Sequence, residues 1–156
     1  MKRSARRRSP AARWPKTRRD ARGPERLSRD EQNSAGFLPG ARAIEGYGAG
    51  GFRFGGMSHR GSILALPSGV YAWDALSPAD ITLDSLARVL AEPPGHIQHL
   101  LIGTGSDFVP LPAEIRAALR RAGINAEPMQ TGAAARTYSL LLGEKRRVAA
   151  ALLGAP

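Results

Sequence analysis

Residues 35–156 are expected to fold as a single α/β domain, with antiparallel hairpins placed before alternating strands and helices. Three observations carry this expectation. Short β-type segments in the first half are separated by glycine-rich or proline-containing turns; three later segments have helical periodicity with explicit starts and stops; and short aliphatic runs lie between those helices. The chain has 156 residues, of which 42% are apolar, enough for one core of ordinary size.

In chain order, Ala43 to Phe54 reads as extended segments interrupted by the glycines between Gly46 and Gly51, which predicts a first hairpin. Ser62 to Leu66 and Val70 to Trp73 flank Pro67-Ser68-Gly69. There proline fits the first central turn position and glycine a left-handed one, predicting a second, bulged hairpin. Thr82 is placed to cap a helix with Leu83, Leu86, Ala87 and Leu90 on its buried face, and Pro93-Pro94 stops it. Gln98 to Ile102 is a short aliphatic run, as in a strand covered on both faces.

Pro112 opens a second helix, with Ile115, Ala118, Leu119 and Ala122 as its stripe and Gly123 at its end. Ile124 to Glu127 is a brief strand. Thr131 is placed to cap a third helix, Gly132 to Leu142, with Ala134, Tyr138 and Leu141 on one face and Gly143 as the stop. Arg147 to Leu153 stays open between helix and strand, because alanine favours helix while both faces are aliphatic.

The chain carries 23 Lys and Arg against 13 Asp and Glu, a formal charge of +10 with a pI near 11.3. That charge is unevenly placed. Met1 to Asp30 holds twelve basic and three acidic residues, a surplus of nine; the remainder holds eleven and ten, a surplus of one. Residues 1–34, rich in arginine and poor in apolar side chains, are therefore expected to be a disordered extension. They lack the apolar region of a secretory signal, and Pro10, Pro15 and Pro24 interrupt an amphipathic transit helix. Beyond Trp14 nothing aromatic interleaves the arginines, so nucleic-acid binding ranks last among the partner readings. The expected location is the bacterial cytoplasm, with the mitochondrion as the alternative if the basic start is a transit segment. No run approaches the roughly 20 apolar residues of a spanning helix. The absence of cysteine excludes disulfides, thiolate zinc sites and cysteine nucleophiles.

A set of motifs runs through the folded part in a fixed order: Gly51-Phe52-Arg53-Phe54, Ser58-His59-Arg60-Gly61-Ser62, Leu66-Pro67-Ser68-Gly69 with Trp73, Leu100-Leu101-Ile102-Gly103-Thr104-Gly105 before Leu111-Pro112, and Met129-Gln130-Thr131-Gly132-Ala133-Ala134 before Thr137-Tyr138. In these it resembles the Mth938-like family, which contains a mitochondrial complex I assembly factor and many small bacterial proteins. The resemblance covers about Ser34 to the C-terminus. It implies a three-layer α/β fold: a mixed central sheet whose last strand is antiparallel to the rest, flanking helices, and an additional layer of N-terminal β-hairpins. It also decides Val148 to Leu153 in favour of strand. The leading functional expectation is a non-enzymatic domain that docks on a protein partner and, as the resemblance implies, supports assembly of a respiratory or membrane complex; the alternative is a binding protein or weak enzyme for a small anionic ligand.

Two groups of residues are the candidate sites. Gly103, Thr104, Gly105 and Ser106 follow a strand, where α/β sheets bind ligands, and Thr131 and Gly132 open a helix; with Arg136 they would form an anion-sized pocket if the loops converge. The plainer reading is a chain reversal and an ordinary cap. A lone Gly-x-Gly has neither the longer dinucleotide fingerprint nor a P-loop lysine, so no such cofactor is expected. Phe52, Phe54, Met57, Tyr71 and Trp73 are either core or an exposed docking patch. Ser58, His59 and Asp74 supply the residue types of a triad without its elbow, and His96 and His99 lack the partners of a metal site; no catalytic residue, metal ligand or cofactor is assigned.

Overall fold

The computed structural model describes residues 36–155. The expectation of a disordered segment at residues 1–34 lies outside them. Among the described residues nine strands and three α-helices follow in order: β1 (Leu38–Pro39), β2 (Gly46–Gly48), β3 (Gly51–Phe54), β4 (Met57–Arg60), β5 (Ile63–Leu66), β6 (Gly69–Ala72), α1 (Ala87–Leu90), β7 (His99–Gly103), α2 (Ala113–Arg121), β8 (Asn125–Met129), α3 (Thr131–Gly143) and β9 (Val148–Leu152). A 3-10 turn at Pro78–Asp80 precedes α1. Six strands form the central sheet in the order β1-β6-β5-β9-β7-β8, and β2-β3-β4 form a separate antiparallel sheet.

The sheet is mixed, as expected, and its layers follow from period-two burial. In β9, Val148, Ala150 and Leu152 face one apolar layer, while Ala149 and Ala151 face the other; β5 and β7 divide in the same way. Phe52 and Phe54 of the small sheet and Ala134, Ala135 and Tyr138 of α3 cover the first face. Ile115 and Leu119 of α2, with Trp73, Ile81, Leu86, Val89 and Ile97, cover the second. Three layers result: small sheet and α3, central sheet, then α2 with the segment around α1.

One detail of the sheet differs from the expectation. The last strand, β9, is antiparallel only to β5; it pairs in parallel with β7, which pairs in parallel with β8. The reason is connectivity: a crossover through a helix returns the chain to the same end of the sheet, so β7-α2-β8 and β8-α3-β9 both make parallel strands. The strands running the other way are β5 and β1, each joined to β6 by antiparallel pairing.

The hairpin region also divides differently. The first hairpin, β2 and β3, gains β4 as a third strand, whereas the second, β5 and β6, enters the central sheet. Its loop is only Pro67-Ser68, since Leu66 already pairs with Gly69. Gly69 is therefore not a left-handed bulge residue. It is glycine because β1 lies close: a Cβ there would stand 2.7 Å from the Leu38 carbonyl oxygen.

Helix boundaries show where local signals mislead. Thr82 does open a turn, its hydroxyl accepting from Ser85 N–H at 3.1 Å while Ser85 Oγ accepts from Thr82 N–H at 3.0 Å, yet regular α-helix spans only Ala87–Leu90. Within it Val89 is buried, as is Leu86 just before it, while Leu83, Ala87 and Leu90 are exposed, because the turn preceding α1 shifts the helical phase. In α2 the buried pair is Ile115 and Leu119, while Ala118 is half-buried and Ala122 exposed. Gly123 ends α2 as expected, at φ 81°, with Ile124 N–H on Leu119 O and Gly123 N–H on Arg120 O in the paired bonds of a Schellman stop.

Gly143 is the last helical residue of α3 and not its left-handed stop. The helix runs through it, and Lys145 takes the left-handed position at φ 63°, with Arg146 N–H on Leu141 O and Lys145 N–H on Leu142 O. A side chain in that conformation is strained. Replacing Lys145 by glycine is expected to stabilise the protein by roughly 0.5 kcal/mol, the relief of left-handed strain less the entropy of a freer unfolded chain. A higher urea midpoint at unchanged slope is the measurement that checks it.

Candidate functional site

The parallel strands β7, β8 and β9 end together, and the two candidate loops meet there. Thr131 N–H donates to Gly105 O at 2.9 Å, and Gly105 N–H donates to Thr131 Oγ1 at 2.9 Å. The helix and the loop are thus bonded to each other. Thr131 is not the cap of α3; Gln130 holds that position and Thr131 is the first helical residue. Its hydroxyl instead donates to Leu153 O at 2.8 Å, tying the start of α3 to the chain just beyond β9. A sequence motif for a cap and a buried cross-link between three segments look alike because both need a small hydroxyl at a helix start.

Thr104 is used in the same manner. Its hydroxyl donates to Asp107 O at 2.6 Å, lies 3.0 Å from Met129 O, and accepts from Val109 N–H at 3.1 Å, which closes the loop on itself. Ser62, the third buried hydroxyl, accepts from Gly154 N–H at 3.0 Å. These three are the buried polar residues among those described, and all lie where strand ends meet. Buried hydroxyls without partners are costly, and here each is satisfied by backbone.

The glycines fit the joint. A Cβ on Gly103 would stand 2.9 Å from both Thr131 Cα and Oγ1, so β7 has glycine because α3 starts directly against it. Gly132 faces the Tyr47 ring, where a Cβ would stand 2.6 Å from Cζ. Arg136 Nη1 is 3.4 Å from the Tyr47 hydroxyl, so Tyr47 of the small sheet covers both residues proposed to complete a pocket. Ser106 is exposed at the loop tip and makes none of these bonds. The Thr104 and Thr131 hydroxyls and the Gly105 N–H are therefore already committed within the fold.

The aromatic group goes to the core. Phe52, Phe54, Tyr71 and Trp73 are all buried, and Met57 packs partly buried against the layer beneath the small sheet. As an exposed docking patch they are corrected: alternation along β3 turns both phenylalanines inward, with exposed Arg53 between them. Trp73 Nε1 donates to Ser85 O at 2.8 Å, and the Arg88 guanidinium lies 4.2 Å over the Tyr71 ring. In β4, His59 turns inward against the Phe37 ring at 4.6 Å while Ser58 is exposed, so the two do not form a nucleophile and base. His99 sits on β7 with Nε2 3.4 Å from Arg146 Nη2, and His96 is exposed.

The apolar side chains that do reach solvent are others: Leu76 at 80% exposure, Leu140 at 63% and Phe108 at 57%, followed by Tyr47, Leu83 and Leu90. Sequence reasoning missed them because it looked for a patch where aromatics cluster, which is where a sheet buries them. Among the described residues no helix is long and apolar enough to cross a membrane.

Comparison with known proteins places these features in a wider group. A family model described as protein of unknown function (DUF498/DUF598) matches residues 44–153. An uncharacterized protein of Rhodobacter capsulatus is 42% identical over 128 residues, covering 81% of this chain and 92% of that one. The zebrafish NADH dehydrogenase [ubiquinone] 1 alpha subcomplex assembly factor 3 is 36% identical over 114 residues, covering 72% of this chain and 64% of that protein. The chain thus spans less than two-thirds of that factor. Among solved structures, an outer membrane protein of Bartonella henselae superposes with a TM-score of 0.72 at 47% identity, covering 76% of this chain and 98% of that one. A Bordetella pertussis protein described as a Mth938-like domain superposes at 0.65 with 33% identity, covering 73% and 87%.

Proposed function

From its place in the DUF498/DUF598 family, to which the chain belongs, we propose that it is a non-enzymatic partner-binding domain that supports assembly of respiratory complex I. The observation that carries this reading is its similarity to a eukaryotic protein named as a complex I assembly factor, along most of the region that forms the three layers. Two features support it. The strand-end loops, where an α/β enzyme places its ligand, are occupied by their own hydrogen bonds. Apolar side chains instead stand exposed on the scaffold, at Leu76, Phe108 and Leu140.

Residues 35–156 are the proposed unit, acting on the cytoplasmic side of a bacterial membrane. An anion-binding role for Gly103, Thr104, Gly105, Ser106, Thr131, Gly132 and Arg136 ranks second, since a ligand there has to displace bonds already formed. Affinity capture of the tagged full chain after cross-linking in its own cells tests the leading reading. Complex I subunits are expected in the captured material above an unrelated tagged control. A capture without them sinks it.

A further inference from the structure

The amino ends of β7, β8 and β9, opposite the hydroxyl joint, gather positive charge. Asn125 N–H donates to Gln98 O, and both Gln98 and His99 N–H reach Arg147 O, so the turns after α2 and α3 meet at this edge. The last turn of α2 carries Arg120 and Arg121, and the turn after α3 carries Lys145, Arg146 and Arg147, together five of the eleven basic residues among those described, with Glu144 the one acid in these two segments. They approach from both sheet faces, because α2 and α3 lie in opposite layers.

Beside this edge is a groove of about 290 Å³. Buried Val89, Ile97 and Ile124 line it along with exposed Leu90, Pro93 and Arg121. Arg147 braces one side, donating to the carbonyl of Gly95, another lining residue, at 2.8 Å, and lying 3.3 Å from Gln98 Oε1. Glu92 also lines the groove, with its carboxylate taken by the Ser68 hydroxyl at 2.5 Å. Its volume sits at the lower edge of small-molecule pockets, and suits one large apolar side chain.

Resting on the partner-binding reading above, we propose that this groove takes an acidic peptide segment of a protein partner. One apolar side chain of the segment enters between Leu90 and Ile124 while flanking carboxylates meet Arg121 and the basic edge. Charge complementarity selects the occupant. A single-stranded nucleic acid would need aromatic platforms, and the exposed aromatics among the described residues, Tyr47 and Phe108, do not line the groove. A bilayer would need protruding apolar side chains rather than a concave floor.

The test is amide chemical-shift mapping on the full chain, using a short peptide with one leucine flanked by glutamates. Saturable shifts are expected at Val89, Leu90, Ile97, Arg121 and Ile124. Replacing the peptide leucine by serine, or Arg121→Glu in the protein, is expected to weaken binding about tenfold, a loss of about 1.4 kcal/mol. Ala122→Trp, which fills the groove from an exposed position, checks the site independently. Shifts confined to the arginine-rich start, equal binding of the serine peptide, or stronger shifts of the same residues by an oligonucleotide overturn the proposal. If Arg121→Glu and Ala122→Trp proteins still capture complex I subunits as the parent does, the groove is wrong while the assembly reading stands.

Discussion

Thr131→Val is expected to destabilise the protein by about 2–4 kcal/mol, because it leaves the buried Leu153 carbonyl and the half-buried Gly105 N–H without their partner. Valine has nearly the shape of threonine, so the loss is one of hydrogen bonding rather than packing. The melting temperature falls on the order of 10 °C. Thr131→Ser, which keeps the hydroxyl, recovers most of the stability. The pair separates a structural strut from an anion site: a ligand site would show near-normal stability in Thr131→Val and a changed response to phosphate. Denaturant melts of the three proteins decide between them.

Tyr138→Ala has the larger cost. The side chain is fully buried between α3 and the central sheet, and its hydroxyl donates to Arg42 O at 2.9 Å, holding the segment before β2 onto α3. Deleting a ring of that size is expected to cost about 3–5 kcal/mol, a large share of the 5–15 kcal/mol typical of a domain. Tyr138→Phe keeps the packing and is expected to lose only about 1 kcal/mol at neutral pH.

The same residue gives a pH signature. Burial pushes its phenol well above the ordinary tyrosine range. A raised folded value means that the stabilisation is complete below the unfolded value of about 10 and falls away as pH rises beyond it. Alkaline unfolding should therefore steepen above that pH in the parent protein and less in Tyr138→Phe. Equal alkaline profiles of the two would contradict this assignment.

Much of the architecture was legible because burial writes a period into the chain. The aliphatic run at β7, the stripe of α3 through Ala134 and Tyr138, and Gly123 as the stop of α2 each follow from local rules. Other features depend on distant neighbours. Gly69 and Gly103 are glycine because β1 and α3 pass close to them, and no nearby residue reports that contact. Lys145 ends α3 although Gly143 offers the easier stop, since Val148 must enter β9 in register with His99. β9 itself could not be separated from helix by composition; its alanines fit because both faces meet packed layers.

The candidate site was legible in a narrower sense. Sequence placed Thr104, Gly105, Thr131 and Gly132 at loop and helix starts, and the fold brings them to one place. What sequence did not contain was that the Thr104 and Thr131 hydroxyls would find backbone partners there and the Gly105 N–H the Thr131 hydroxyl, or that Tyr47 would lie over Gly132 and Arg136. The aromatics failed as a surface for the opposite reason: a half-buried sheet hides alternate residues, and Phe52 and Phe54 share the hidden face.

Assembled complex I in cells lacking this chain is the most direct measure of its role. Native gels of membranes from the parent, the deletion and the complemented deletion would be compared by in-gel NADH oxidation. The assembly reading predicts a loss of the mature complex in the deletion, accumulation of a smaller subassembly, and recovery on complementation. Mature complex at parental level in the deletion would contradict it.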